Sequence, residues 1–123
     1  MGAEVKLYKK LKAKTPKIIW NRSENLAIPG MPDLLGYNAN SHFFTVELKV
    51  TKGKKLKFSP HQIAFHVTHP NNTFILAKKP SQGSFKLFSG TSILALVKEG
   101  FKYQDACCLS LEDLEKFFES LGA

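Results

Sequence analysis

Two carboxylates and a lysine are spaced so that they can act together. Asp33 follows a proline at the start of a short apolar run, and Glu47 lies fourteen residues further on, one residue before Leu48 and two before Lys49. Two carboxylates can hold a hard divalent cation such as Mg²⁺, which polarises a phosphoryl group and lowers the pKa of an attacking water. Lys49 can stabilise the developing negative charge, or help to orient and deprotonate that water. The spacing therefore favours metal-assisted hydrolysis of a phosphoester.

Strict alternation places Glu47 and Lys49 on the same face of a strand, because successive side chains of a strand point to opposite faces. Two β-like runs, 33–37 and 42–50, are joined by a short polar turn and predict antiparallel neighbours. Their pairing would bring Asp33 and Glu47 to the same end of the sheet. The apolar face of the second strand consists of Phe44, Val46, Leu48 and Val50.

The other periodic segments predict an α/β fold with a mixed sheet, in the order α, β, β, β, α, β, β, α, α. The second helix has the clearest start: Ser59 is an N-cap, Pro60 suits the first helical position, and Gln62 can complete a capping box. The predicted helices span 3–13, 60–69, 92–99 and a last segment from Ser110, and the other predicted strands span 17–22, 73–78 and 84–88.

Length and composition favour one soluble domain. With 123 residues, 43% of them apolar, the chain can bury a real core, and we expect residues 1–123 to form a single domain. Its apolar runs are far shorter than the roughly 18 residues needed for a membrane span, and its first residues lack the apolar stretch of a signal peptide. We therefore expect a cytoplasmic protein.

Positive charge is concentrated in the first half of the chain. Residues 1–60 carry twelve Lys and Arg against four acids, a net charge of +8, whereas residues 61–123 carry six lysines against six acids. A polyanion is the natural partner of such a surface, because neutralising its phosphates releases counterions. The plainer alternative is a solubilising surface, and the asymmetry favours nucleic acid over it.

A basic loop directly follows the strand that carries Glu47 and Lys49. We expect it to be flexible and solvated in the free protein, and its position favours contacts with backbone phosphates when DNA binds. Arg22, at the end of the first predicted strand, is a further candidate for DNA binding. No segment resembles a base-reading module, so we expect recognition of DNA shape and phosphates rather than sequence. The lysines of the loop are Lys52, Lys54, Lys55 and Lys57.

Together these motifs resemble a known nuclease family. Pro32-Asp33 and Glu47-Leu48-Lys49 are similar to the PD-(D/E)XK nuclease signature. The longer pattern of Pro29-Gly-Met-Pro-Asp-Leu, Val46-Glu-Leu-Lys and Lys57-Phe-Ser-Pro-His-Gln resembles the VRR-NUC branch, and most of all its small standalone phage and bacterial members. The resemblance implies a restriction-endonuclease-like core of order αβββαβ, in which helices flank a central mixed sheet.

The resemblance also implies a metal site. Asp33 and Glu47 would bind Mg²⁺, with Mn²⁺ as a substitute, and the backbone carbonyl of Leu48 would be a further ligand. The family often has an acid in its first helix; Glu4 is the candidate in that segment, Glu24 is a rival, and both remain open. From its spacing alone, Glu4 either points into the domain from the apolar stripe or complements the helix dipole.

The remaining catalytic residues follow from the same resemblance. Lys49 would be the catalytic lysine, and Gln62 would match the family's glutamine near the active site, although it can also simply cap its helix. His66 lies one turn further on. It either faces DNA or the metal, or is an ordinary half-buried histidine, which is the more common case.

The leading hypothesis is a Mg²⁺-dependent, structure-specific DNA endonuclease of a phage or bacterial host cell, similar to the Holliday-junction resolvases. One chain with one site cannot cut two strands symmetrically, so resolving a junction would require a homodimer with an isologous interface. The phenylalanines of segments 85–88 and 117–118 are candidates for that interface. The alternatives are a nicking, flap or restriction-type nuclease with the same site, and a catalytically silent DNA-binding domain. The intact acids and lysine argue against silence, because burying unpaired charges is costly.

Overall fold

The fold is built on a five-stranded mixed sheet whose spatial order follows the order of its strands in the chain. A computed structural model describes residues 2–23 and 28–123, apart from the Gln82 side chain. No helix formed by these residues is long and apolar enough to cross a membrane. The strands are β1 (Ile19–Arg22), β2 (Leu34–Tyr37), β3 (Phe43–Val50), β4 (Thr73–Lys79) and β5 (Ser84–Ser89). The helices are α1 (Ala3–Lys14), α2 (Pro60–Thr68), α3 (Ile93–Glu99) and α4 (Leu111–Ser120), with 3₁₀ turns at Pro80–Gln82, Gly90–Ser92 and Gly100–Lys102.

One parallel pairing makes the sheet mixed. Strands β1, β2 and β3 pair antiparallel in succession, β4 lies parallel to β3, and β5 returns antiparallel to β4. The parallel pair needs a crossover, because a hairpin can only join antiparallel strands. Helix α2 is that crossover, and it therefore starts close to the carboxyl end of β3.

Helices pack on both faces of the sheet. On one face, Leu7 and Leu11 of α1 and Phe118 of α4 join a buried cluster with Val46 and Leu48 of β3. Because side chains alternate along a strand, Glu47 and Lys49 lie on the opposite face, which α2 and α3 partly cover. The cluster on that second face consists of Leu56, Ile75, Ala77, Phe88, Ile93, Leu96 and Phe101, with Ile63 of α2 packed against it.

The predicted fold class and element order are confirmed. Each element begins and ends within two residues of its predicted limits. The largest difference concerns Lys17 and Ile18, which were predicted to start β1. They belong to a turn instead, because the Ile18 N–H donates to the Thr15 carbonyl at 3.1 Å. That turn lets the buried Ile18 side chain join the core beside α1.

Two of the phenylalanines considered above as a dimer interface, Phe88 and Phe118, belong to the core, so the prediction is wrong for them. Phe88 and Phe118 are fully buried, and the Phe118 ring stacks on Phe44 with a centroid distance of 4.8 Å. Phe85 and Phe117 are half-buried against the same core. The phenylalanine content of the two segments suggested a surface for a second copy, but the Phe88 and Phe118 rings fill the core instead.

A glycine brings the segment before Asp33 against the start of α2. Gly30 has a φ of +80°, and a Cβ at this position would lie 2.2 Å from the His61 carbonyl oxygen. Only glycine tolerates both the left-handed conformation and so close a backbone approach. The Pro29–Pro32 motif therefore holds the Asp33 segment against the helix that carries Gln62.

The substitution Gly30→Ala is expected to lower the free energy of unfolding by about 2 kcal/mol or more, since it adds a backbone clash to a strained φ. Urea unfolding measures the effect. Gly53→Ala is the matched control, because a Cβ there meets nothing within 4 Å. Equal unfolding midpoints for the two variants would contradict the packing of Gly30 on α2.

Candidate active site

The strand register places the two predicted carboxylates side by side. Leu34 of β2 pairs with Val46 of β3, so Asp33, one residue before β2, lies beside Glu47. The Asp33 Oδ2 accepts a hydrogen bond of 2.7 Å from the Leu48 backbone N–H. This bond ties the Asp33 carboxylate to the strand that carries Glu47, and it confirms the prediction that both acids lie at the same end of the sheet.

Ser23 holds the backbone on the other side of Asp33. Its hydroxyl donates to the Pro32 carbonyl, and its N–H donates to the Asp33 carbonyl at 2.9 Å. Ser23 is a residue of the site that was not predicted from the sequence. The pairing of β1 with β2 explains its position. Arg22, the last residue of β1, pairs with Leu34, so Ser23 lies opposite Asp33.

Glu47 is almost completely buried, and one of its oxygens has no partner. The side chain is 2% exposed; Oε2 accepts a hydrogen bond from Gln62 Nε2 at 3.3 Å, and Oε1 has none within the described part of the chain. Burial and then the adjacent Asp33 carboxyl raise the pKa of Glu47 to about 9, and Lys49 acts in the opposite direction. Burying a carboxylate oxygen without a partner is costly, and a cation bound here would remove that cost.

Gln62 joins Lys49 to Glu47. The Lys49 Nζ donates to Gln62 Oε1 at 3.0 Å, while Gln62 Nε2 donates to Glu47. The Lys49 ammonium also lies 4.8 Å from the centroid of the Phe58 ring, a cation–π distance. Phe58 was not predicted as a site residue; its position directly before the Ser59 cap is the feature of the sequence that could have indicated it. The lysine is therefore held by a hydrogen bond and by an aromatic ring.

Gln62 caps its helix and contacts the site at the same time. Its Oε1 also accepts from the Ser59 backbone N–H at 2.9 Å, and its own N–H donates to Ser59 Oγ at 3.1 Å, which completes the predicted capping box. The amide can serve both purposes because its oxygen accepts twice while its nitrogen donates elsewhere. The two roles considered for Gln62 are thus compatible in one conformation.

An open pocket of 630 Å³ adjoins these residues and is lined by Glu4, Leu48, Lys49 and the segment 50–57. Glu4 is exposed in the first turn of α1, and its charge contributes to the raised pKa of Glu47. Its exposure contradicts the alternative in which Glu4 points into the domain, and its place in the first turn agrees with an acid that complements the helix dipole. Glu24, the rival acid, lies outside the described residues.

The oxygen donors at the site suit a hard cation. Among the residues that the structure describes, no group of three or more His, Cys, Asp or Glu side chains could hold a metal ion. A cation here would instead be held by Asp33, Glu47, water and a backbone carbonyl, and oxygen ligands of this kind are those that Mg²⁺ prefers. The N–H and C=O of a strand residue point to the same side, so the Leu48 carbonyl faces the Asp33 side of β3. The unpartnered Glu47 Oε1 fits such an ion.

The predicted DNA-contacting lysines are exposed along the pocket, but their loop is anchored rather than flexible. Thr51 Oγ1 donates to the Lys55 carbonyl at 2.8 Å, and the Phe101 N–H donates to the Lys54 carbonyl at 2.7 Å. The Arg22 guanidinium lies 5.2 Å from the Tyr8 ring centroid. The exposed lysines lining the pocket are Lys52, Lys54, Lys55 and Lys57.

His66 is buried and does not face a DNA surface. It is 1% exposed, and neither of its ring nitrogens has a hydrogen-bond partner within the described residues. Its Nδ1 lies against Gly90, where an added Cβ would come within 2.9 Å of it. Burial, followed by the charges of His69 and Lys49, lowers the pKa of His66 to about 4. The half-buried histidine expected from the sequence is in fact fully buried and neutral at pH 7.

Because the folded-state pKa of His66 is below its ordinary value of 6.5, the folded protein binds fewer protons than the unfolded chain. The neutral His66 side chain contributes fully to the free energy of unfolding above pH 6.5, and this contribution is lost as the pH falls towards 4. Between pH 7 and pH 5 the loss should be about 2 kcal/mol. His66→Leu should remove this part of the pH dependence in urea unfolding, whereas His61→Leu, at an exposed position, should leave it. If both variants keep the wild-type pH dependence of stability, His66 is not the group responsible for it.

Comparison with known proteins supports the fold. No family model and no curated protein matches the chain. Among solved structures it is similar to Hjc from Archaeoglobus fulgidus, a Holliday junction resolvase from an archaeal hyperthermophile, with a TM-score of 0.52 and 18% sequence identity. The likeness covers 70% of this chain and 72% of Hjc. The chain shares its fold with that resolvase. The restriction-endonuclease-like α/β fold expected from the sequence is therefore present.

Proposed function

We propose that the chain is a metal-dependent DNA endonuclease of the VRR-NUC branch that cuts branched DNA in the cytoplasm of a phage or bacterial host cell, with residues 1–123 as one nuclease domain. The observation that carries the proposal is the cluster of Asp33, Glu47 and Lys49, with one buried carboxylate oxygen unpartnered among the described residues. The exposed lysines beside the pocket supply contacts for phosphates. The shared fold with a Holliday junction resolvase supports the same reading.

The residues of the chain divide the reaction between them. Asp33, Glu47 and the Leu48 carbonyl would hold Mg²⁺. Glu4, at the edge of the pocket, would be a further candidate ligand. An ion held at this site would supply Lewis-acid chemistry, polarising the scissile phosphate and lowering the pKa of an attacking water. Lys49, directed by Gln62, stabilises the negative charge that develops on the phosphate oxygens or orients the water. The basic loop with Lys52, Lys54, Lys55 and Lys57 would bind the phosphates of the DNA backbone next to the scissile phosphate.

Gln62 offers a test of positioning, because its cap and its bond to Lys49 can be separated. Gln62→Ala removes both, whereas Ser59→Ala removes the cap alone. Each should lower the free energy of unfolding by about 1 kcal/mol. Only Gln62→Ala should also lower the cleavage rate at saturating DNA, by roughly 10- to 100-fold, because the lysine loses its orientation. Equal cleavage rates for the two variants would show that Gln62 serves the helix alone.

A preference for branched DNA is tested by comparing substrates. Labelled four-way junction, flap, nicked and linear duplex DNA are incubated with the protein and Mg²⁺, beside Asp33→Ala and Lys49→Ala. A junction resolvase should act as a homodimer, because two strands must be cut symmetrically, and it should cut the junction far faster than the linear duplex. Equal cutting of both would exclude junction resolution and favour a restriction-type or nicking nuclease. DNA binding without cutting would favour a silent binding domain.

A further inference from the structure

A second group of lysines lies beside the active-site pocket, on α1 and β4. The ammonium groups of Lys10 and Lys78 both lie near the Phe85 ring, at 5.3 Å and 5.0 Å from its centroid. Lys78 pairs with Phe85 across β4 and β5, and Lys10 reaches the ring from α1. Two cations therefore share one aromatic side chain at the edge of the sheet.

Nothing in the described chain neutralises these two charges. The ion pair found among those residues joins Lys17 to Glu119, and neither Lys10 nor Lys78 has a carboxylate partner there. Burial and the adjacent Lys10 ammonium hold the pKa of Lys78 below its ordinary value. Two like charges held this close repel each other. An anion bound between the two ammonium groups would relieve this repulsion and be attracted by both.

A pocket of 340 Å³ opens beside the lysine pair and is lined by Ala3, Lys6, Leu7, Val50, Lys78 and Pro80. Its charged rim suits a phosphate, and its apolar floor suits the sugar attached to that phosphate. Val50 lines this pocket and the active-site pocket alike. Because Val50 pairs with Lys78 and adjacent strands are about 4.8 Å apart, the two pockets are close enough for successive units of one strand.

We propose that this second pocket binds a sugar-phosphate unit of the DNA strand next to the scissile phosphate, with Lys6, Lys10 and Lys78 around the phosphate. The inference rests on the proposed function, since it requires DNA as the ligand. It adds a subsite on the α1 side of β3, opposite the side of the strand on which Glu47 and Lys49 lie. The strand would therefore pass around the carboxyl end of β3, between α1 and the lysine loop.

The test compares two double variants with the same change in net charge. Lys6→Gln/Lys78→Gln removes the two lysines that line the pocket, and Lys12→Gln/Lys116→Gln removes two exposed lysines that line neither pocket. Fluorescence anisotropy in EDTA, where no cutting occurs, measures DNA affinity over a range of salt concentrations. The pocket variant should lose affinity, and the slope of log K against log salt should be shallower by about 1. The control should keep the wild-type slope, and both should melt at or above the wild-type temperature.

Each outcome decides between the proposals. Equal slopes for the two double variants, with normal wild-type cleavage, would overturn the subsite and leave the nuclease intact. A shallower slope for the pocket variant alone, with no cleavage by wild type under any condition, would support the subsite and overturn the enzyme. Saturable binding of inorganic phosphate that the pocket variant loses, without any change in its DNA slope, would assign the pocket to a free anion and contradict the proposal.

Discussion

Lys49→Met is expected to slow Mg²⁺-dependent DNA cleavage by roughly a thousandfold at saturating DNA, because the transition state would lose the ammonium group that we propose stabilises it. Methionine keeps the unbranched stem, so the side chain can still lie on the Phe58 ring. Gln62 would keep its bonds to Ser59 and to Glu47. The fold, the capping box and the carboxylates should therefore be unchanged, and the effect should appear in kcat rather than in the affinity for DNA.

Lys52→Met is the matched control for this experiment, since it removes the same charge from the exposed loop that follows. It should weaken DNA binding and make the salt dependence shallower by about 1, while kcat stays within a few-fold of wild type. Single-turnover cleavage at saturating protein separates the two effects. Similar losses of kcat in both variants would mean that Lys49 acts only as one more phosphate contact.

Glu47→Gln should stabilise the metal-free protein, the opposite of what most substitutions at a buried position do. At pH 7 the wild-type Glu47 must either bury a charge with an unpartnered oxygen or take up a proton on folding, whereas a neutral amide of nearly the same shape does neither and can still accept the bond from Gln62. The folded-state pKa of about 9 lies above the ordinary value of 4.5, so the wild type loses stability as the pH rises through this range. At pH 7 the gain for Glu47→Gln should be on the order of 2–3 kcal/mol.

In Mg²⁺ the wild type should become more stable than Glu47→Gln, because a cation held by Asp33 and Glu47 stabilises only the protein that can bind it. Thermal unfolding in EDTA and in excess Mg²⁺ measures both effects. The wild-type melting temperature should rise with Mg²⁺, while that of Glu47→Gln should not. Glu99→Gln, at an exposed position, should behave like wild type. A Glu47→Gln protein that melts below wild type in EDTA, or gains equally from Mg²⁺, would contradict a cation at Glu47.

Local patterns predicted the elements and the positions of the acids. The period-two alternation of β3 placed Glu47 and Lys49 on one face, and the short polar turn before it set the register that brings Asp33 beside Glu47. The Ser59 cap predicted the start of α2 to within a residue. These features depend on neighbours in the chain, which is why the sequence alone was sufficient for them.

Contacts between distant segments were not predictable in the same way. Gly100, with a φ of +69°, lets its turn approach the Lys54 carbonyl, and this contact anchors a loop that composition alone describes as flexible. The burial of Phe118 depends on the position of α4 over the sheet, which no local pattern specifies. The bonds of Gln62 to Lys49 and Glu47 depend on how α2 crosses back over β3. Each needed the folded structure.

Cleavage of one labelled four-way junction tests most directly the claim that Asp33 and Glu47 hold a metal ion required for DNA cleavage. Wild type with Mg²⁺, wild type with EDTA, and Asp33→Asn with Mg²⁺ are compared at equal concentration. Asparagine can still accept the bond from the Leu48 N–H, so the fold should be retained while the charge is lost. Products should form in the first reaction alone. Cleavage in EDTA, equal cleavage by Asp33→Asn, or no cleavage by wild type would contradict the claim.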